Sequence, residues 1–363
     1  MQFKWSYILL DFLKKKSTAL LGIDISSNSI KLLELSKQGD TYKVEHYISR
    51  QLPDGAVVEK SIANLDLVGE VFQKISTLVK PSSIQAAVAV SGSAVITKII
   101  EMKAGLSDTE MESQITAEAD KYIPYPLSEV MIDFEIQRPS RKNDEMVEVL
   151  IAACKKENVE LRIDALQMGG YEVKVVDIEV FAMERAFNLL CTQMDLSSEG
   201  IVAIMDIGAL VTTLYILKDG ASIYTKELVF GGARLLSAIQ SNYAMSQSEA
   251  EASIKAGSLP QSYQADVLEP FKEELIEQLS RALQFFFSSS QYHDVDLIVL
   301  AGGVAPITGL VAELQEPLSA RTVVANPFAK MKVGSKINIA QLKNDAASLL
   351  MASGLAIRGF GNG

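Results

Sequence analysis

The chain has 363 residues, 48% hydrophobic and 22% charged. That is ordinary globular composition, long enough for about two or three domains. A formal net charge of −11 leaves no global field to draw a nucleic acid, so no nucleic-acid partner is expected. Two cysteines (Cys154, Cys191) and two histidines (His46, His293), far apart in the chain, exclude a disulfide framework and are too few for a zinc site; they suit a reducing compartment.

The N-terminal run Tyr7-Ile-Leu-Leu-Asp-Phe-Leu13 is apolar and is followed by Lys14, Lys15 and Lys16. A secretory signal has its charge before the apolar run, and a bilayer span takes ~20 residues, so neither fits. Two readings stay open for 1–16: a leader helix or frayed tail, or an interfacial helix touching anionic lipid through 3–16.

From Ser17 the pattern predicts strands. Ala19 to Ile25 is an apolar run carrying one Asp, and Ile30 to Leu35 and Tyr42 to Ile48 follow around a turn at 37–40. Apolar residues at helical spacing predict a helix over 65–79, ended by Pro81, before a strand at 84–90. Ser107-Asp-Thr-Glu110 is a capping box that should open a helix to Tyr122, where Pro124 and Pro126 stop it. Strands near 130–136 and 145–153, a helix near 158–168 and a strand near 172–176 complete the first half. The block 104–171 reads as an inserted subdomain. In the second half, strands are predicted at 201–207, 212–217 and 222–229. Helices follow, interrupted at Gly257 and Pro260, then a long helix with Leu268, Phe271, Leu275, Leu279, Leu283 and Phe286 on one face. A buried-type strand at 295–300 ends in Ala301-Gly-Gly303, and a last helix is expected near 345–357.

The two halves begin alike. Asp24-Ile25 is followed by six residues and Leu32, then by Leu35; Asp206-Ile207 is followed by six residues and Leu214, then by Leu217. Each segment then turns (Lys37-Gln-Gly39; Lys218-Asp-Gly220) into a third strand. A strand that carries Asp into a turn places a carboxylate beside backbone N–H groups. The N–H groups can cradle phosphate oxygens, and the carboxylate can hold water around a magnesium ion. Either Asp alone is equally a strand-end turn former.

Gly22-Ile-Asp24-Ile-Ser-Ser-Asn28, Asp206-Ile-Gly208 with Thr212 and Thr213, and Ala301-Gly-Gly303-Val-Ala305 resemble, in this order, the first phosphate, second phosphate and adenosine motifs of the actin, sugar-kinase and heat-shock-ATPase superfamily. Leu21 to Ser27, Val57-Val-Glu-Lys60, Asn326-Pro-Phe328 and the inserted block resemble the PilM family of type IV pilus assembly proteins, relatives of the division protein FtsA. FtsA ends in a linker and an amphipathic membrane helix, for which Ile357 to Gly363 leaves no room. The resemblance implies an α/β, duplicated actin-like ATPase fold of two ribonuclease-H-like halves with an FtsA-type inserted subdomain. The implied divisions are a leader at 1–16; a first subdomain at 17–103, 172–198 and 345–363; the insertion at 104–171; a second subdomain at 199–232 and 297–344; and its companion at 233–296.

The resemblance further implies ATP and Mg2+ as ligands. Asp24, Ser26, Ser27, Asn28 and Lys31 would face the phosphates from one side. Asp206, Gly208 and Thr212 or Thr213 would face them from the other, with Asp24 and Asp206 near the metal. Gly302 and Gly303 would border the adenosine. Glu251 and Lys255 would contact ribose or adenine, or form an exposed i,i+4 ion pair. Glu179 would place the attacking water, or simply begin a helix. Binding needs only cradle and metal, whereas hydrolysis needs a placed water, so ATPase activity is expected to be weak or absent. The implied partner is the cytoplasmic N-terminal segment of PilN, held beside the inserted subdomain, with self-association also implied. The implied location is cytoplasmic, peripheral at the inner membrane. An FtsA-like division role or a small-molecule kinase of the same fold is the alternative, although no His or Asp nominates itself as the kinase's general base.

Overall fold

A computed structural model of the chain describes residues 19–360. The leader at 1–16, with its lipid-contact reading, lies outside the described residues. Two sheets carry the architecture, and they have the same strand order. In the first, Thr41–Gln51, Ser29–Gln38 and Leu21–Ile25 form an antiparallel meander, and Gln85–Val90 and Glu172–Ile178 add in parallel. In the second, Ala221–Leu228, Thr212–Lys218 and Ile201–Ile207 form the meander, and Leu297–Ala301 and Arg321–Val324 add in parallel. The short strand Lys332–Val333 pairs with the outer edge of Thr41–Gln51, which ties the second half back onto the first.

The central strands are continuous apolar runs because helices cover both of their faces. On the first sheet, Leu65–Leu78 and Lys156–Met168 pack one face through Val68, Phe72, Ile75, Ala165 and Leu166. The other face meets Glu179–Met194 and the late helix Leu350–Ala356. These two helices belong to a core that continues through Ile201–Met205 and Leu297–Ala301, so the halves share apolar packing. Gly22 lies against the late helix: a Cβ there would collide with the Ala352 carbonyl and lie 2.6 Å from Ala356 N. This part of the first motif is therefore built for packing the late helix.

The insertion is a three-stranded antiparallel sheet, Val95–Lys103, Met146–Lys155 and Val130–Pro139, with Met146–Lys155 in the middle. Helix Asp108–Glu118 covers it through Met111 and Ile115, and the capping box of Ser107 and Glu110 is formed. Its boundaries differ from 104–171. The strand at 95–103 enters the inserted sheet, and helix Lys156–Met168 packs on the first sheet instead, so the inserted sheet spans 95–155. Lys98, Glu101 and Lys103 fall at spacings of three and two, which breaks the alternation that would mark that strand. The helix Glu179–Met194 is equally hidden in sequence, because its N-cap is Ile178 and no side chain caps it. The last helical stretch begins as a 3₁₀ turn at Ala346–Leu349 before Leu350–Ala356. No helix among the described residues is long and apolar enough to cross a membrane.

Candidate functional site

The two Asp-bearing turns share their register and their closing hydrogen bond. Asp24 pairs across its hairpin with Lys31, and Asp206 pairs with Thr213, each seven positions on. In both turns the residue two after the Asp closes the turn: Ser26 N–H donates to Ser29 O at 2.9 Å, and Gly208 N–H donates to Val211 O at 3.1 Å. Strand pleating then decides which hydroxyl faces the cleft. Thr213, opposite Asp206, receives Lys60 Nζ at 3.0 Å. Thr212 points the other way and donates to Phe230 O at 2.7 Å from a fully buried position. Thr213 thus faces the Lys60 ammonium, and Thr212 holds the hairpin to the following loop.

Between the turns lies a closely coupled charge cluster. Lys31 Nζ bonds Asp24 Oδ2 at 2.8 Å. Burial lowers the Lys31 pKa, but Asp24, Asp206 and Glu179 outweigh it and the net shift is upward. Burial raises Asp206 to about 6; Lys31 and Lys60 oppose that rise, while Asp24 and Glu179 add to it. Glu179, first residue of its helix, is raised by burial, against which Lys60 pulls down. The site therefore holds several carboxylates that solvate one another poorly, a setting in which an added cation is favoured.

Lys60 is the residue that sequence reasoning left without a role. Its ammonium reaches Glu179 at 2.8 Å, Glu227 at 3.0 Å and Thr213 at 3.0 Å, so one side chain from the first half joins two residues of the second. Glu227 also accepts from Ser91 Oγ at 3.1 Å and Ser93 Oγ at 3.3 Å. Lys60 sits in the tight turn between the short strands Val57–Val58 and Ser61–Ile62, where both Glu59 (φ 47) and Lys60 (φ 60) are left-handed. Non-glycine residues adopt that conformation at a cost of about 1–3 kcal/mol each, a strain that clusters at functional positions. Arg162, 3% exposed, holds the turn: its guanidinium donates to Lys60 O, Ala89 O and Asn158 O, each at 2.8 Å. The only sequence signal was Lys60 itself, at the end of Val57-Val-Glu-Lys60.

The remaining expected residues divide. Ser26 spends its hydroxyl on Ser29 O at 2.9 Å, inside its own turn. Ser27 and Asn28 form the tip of the first turn, and the Asn28 carbonyl accepts from Leu52 N–H at 2.8 Å. Gly302 (φ +86) has a structural need for glycine, since a Cβ would strike Ile207 O and lie 2.8 Å from Asp206 Oδ1. Gly303 differs: nothing lies within 4 Å of a Cβ placed there, so it opens onto free space and not onto a tight contact. Glu251 bridges the two halves, accepting from Gln51 at 3.1 Å, and also accepts from Gln247 at 3.2 Å. The Lys255 side chain lies outside the described residues.

Among the described residues no group of three or more His, Cys, Asp or Glu is placed to hold a metal. Magnesium does not require one. It keeps most of its waters and takes one or two carboxylates plus substrate oxygens, which Asp24 and Asp206 can supply.

A family model of the type IV pilus assembly protein PilM matches residues 22–360. The chain belongs to the PilM family. Among solved structures it is similar to the PilM–PilN type IV pilus biogenesis complex, with 26% identity, a TM-score of 0.75, and coverage of 96% of this chain and 100% of that one. It is also similar to the ethanolamine utilization protein EutJ from Carboxydothermus hydrogenoformans, with 15% identity, a TM-score of 0.54, and coverage of 95% and 92%. The second likeness concerns the fold alone. The fold is the actin-like ATPase fold, as the duplicated sheets imply.

Proposed function

We propose that this PilM-family chain is an ATP-binding scaffold of the type IV pilus assembly platform that docks the cytoplasmic N-terminal segment of PilN. The observation that carries the nucleotide reading is the pair of matched turns, Asp24 with Lys31 and Asp206 with Thr213, facing one cleft. Phosphates would lie between the turns, with Lys31 and Lys60 as the cations that meet them. Mg2+ would be held through water by Asp24 and Asp206, and it would supply charge neutralisation of the phosphates. Backbone N–H groups at 27–28 and 209–210 are the donors at the turn tips. Gly303 leaves room on the adenosine side.

Glu179 is the water-placing candidate, yet it is bonded to Lys60 at 2.8 Å. An attacking water would have to compete with that ammonium, which favours slow turnover over rapid hydrolysis. Lys60 also gives a route from nucleotide to shape. Phosphate drawing Lys60 away from Glu227 would loosen a bridge between the halves. PilN is the partner in the similar solved complex. For this chain the reading places the PilN segment in the groove between the inserted sheet and helix Glu179–Met194. Attachment through PilN would make the protein peripheral at the inner membrane, on the cytoplasmic side.

Calorimetric titration with ATP and magnesium tests the site. Wild type should bind, and Asp24→Ala and Asp206→Ala should each weaken binding at least tenfold. Unchanged affinity in both variants would remove the assignment. A labelled PilN N-terminal peptide that fails to bind in the presence of ATP would remove the docking reading.

A further inference from the structure

Glu227 sits opposite Thr213 in the hairpin of the second sheet, so the two side chains share the face that meets Lys60. Three donors converge on one of its oxygens, Oε1: Lys60 Nζ at 3.0 Å, Ser91 Oγ at 3.1 Å and Ser93 Oγ at 3.3 Å. All three come from the first half. Lys60 comes from the turn held by Arg162, whereas Ser91 and Ser93 lie in the loop between the strand Gln85–Val90 and the inserted strand Val95–Lys103. The two serine hydroxyls also bond each other at 2.8 Å. One carboxylate oxygen therefore bridges the halves at the root of the inserted sheet.

The two carboxylates that share Lys60 are unequal. The Glu179 side chain is 14% exposed, and among the described residues it has no ion-pair partner other than Lys60. The Glu227 side chain is 29% exposed and keeps two hydroxyl donors when the ammonium leaves. A buried carboxylate stripped of its cation is costly, and one that retains hydrogen bonds and water is much less so. The Lys60 backbone is fixed, since Arg162 donates to its carbonyl, so what can move is the long side chain. An anion arriving between the turns thus takes Lys60 from Glu227 at small cost and leaves it on Glu179.

We infer that Glu227 is a built-in competitor of the phosphates for the Lys60 ammonium, a latch that joins the halves without nucleotide and is released when phosphate takes the lysine. This rests on the reading that nucleotide phosphates lie between the two turns. It adds a residue outside both turns that holds nucleotide affinity below what the turns alone would give. Ser91 and Ser93 retain the carboxylate once Lys60 has gone.

Calorimetric titration with Mg·ATP compares wild type, Glu227→Gln and the double variant Ser91→Ala/Ser93→Ala, and each protein is also melted without nucleotide. Glu227→Gln keeps an oxygen for the serines and loses the charge that competes for Lys60. It should bind Mg·ATP about fivefold more tightly than wild type, the worth of a part-exposed ion pair, while melting at a lower temperature because the bridge is weaker. A purely structural role gives the lower melting temperature without the gain in affinity. The serine variant removes the donors that retain the carboxylate, so Glu227 should hold Lys60 harder and Mg·ATP should bind about threefold more weakly. In the Glu227→Gln background the same serine changes should leave affinity unmoved; a loss of the same size there would show the serines acting apart from Glu227 and overturn the latch. Glu227→Gln binding Mg·ATP no more tightly than wild type would overturn the role of Glu227 and leave the nucleotide reading standing. If the glutamine variant does not fold, the serine variant decides, and affinity equal to wild type or tighter overturns the latch. Wild type that binds no Mg·ATP would overturn the nucleotide reading and this inference with it.

Discussion

Replacing Asp206 with Asn separates the needs of the fold from the needs of the ligand. Burial raises this carboxyl from 3.8 to about 6. An acid whose folded pKa lies above its unfolded value contributes stability that is complete below the unfolded pKa and is lost as pH rises through the folded one. The difference is about 2 units, and at about 1.4 kcal/mol per unit the ceiling is about 3 kcal/mol. Asp206 keeps some solvent contact at the cleft, and Asn cannot answer Lys31 as a carboxylate does, so a gain of about 1–2 kcal/mol at neutral pH is the working value. Urea unfolding without nucleotide at pH 7.5, 6.0 and 4.0 measures it. Asp206→Asn should be more stable than wild type at pH 7.5 and converge with it near pH 4. With Mg·ATP at a hundred times the wild-type dissociation constant, wild type should gain about 2.7 kcal/mol, and a variant that binds tenfold more weakly about 1.4 kcal/mol. A variant less stable at pH 7.5, or a difference independent of pH, would refute the reasoning about the buried carboxylate.

Lys60→Met leaves Glu179 buried without its cation and should cost about 3–5 kcal/mol at pH 7.5 in urea titrations. The loss should shrink as pH falls and Glu179 takes up a proton; a loss unchanged down to pH 4.5 would argue against the pairing. Thr212→Val and Thr213→Val should part company. The first leaves Phe230 O without its donor and costs about 1–3 kcal/mol in thermal melts. The second removes the acceptor of one Lys60 hydrogen bond, costs about 1 kcal/mol, and should reduce ATP affinity several-fold by calorimetry. Gly22→Ala should destabilise by about 3 kcal/mol or more, since the obstacle is the backbone of the late helix; a melting temperature near wild type would show that this helix can shift.

The duplicated frame was legible because hairpin register is local. Seven positions separate Asp24 from Lys31 and Asp206 from Thr213, and turn length fixes which residues pair. The capping box at Ser107 was legible for the same reason, since its two hydrogen bonds lie within one turn of chain. The inserted block was visible as a change of pattern, but its edges were not. Whether helix Lys156–Met168 packs on the inserted sheet or the first sheet depends on the apolar surface it meets, and only the assembled structure supplies that.

The sequence by itself determined two Asp-bearing hairpins, their common frame and the glycine turn that follows the later strand. Tertiary structure decided what occupies the space between them. Lys60 lies 119 residues from Glu179 and 153 from Thr213, and no periodicity links positions so distant. Arg162 holds that turn in place, and two of its carbonyl partners, Ala89 and Lys60, lie 73 and 102 residues away. Pleating chose Thr213 over its neighbour Thr212, and close backbone packing gave Gly22 and Gly302 their reasons. Local rules place a residue on its strand or turn; long-range contacts select its neighbours, and those neighbours set its charge and its chemistry.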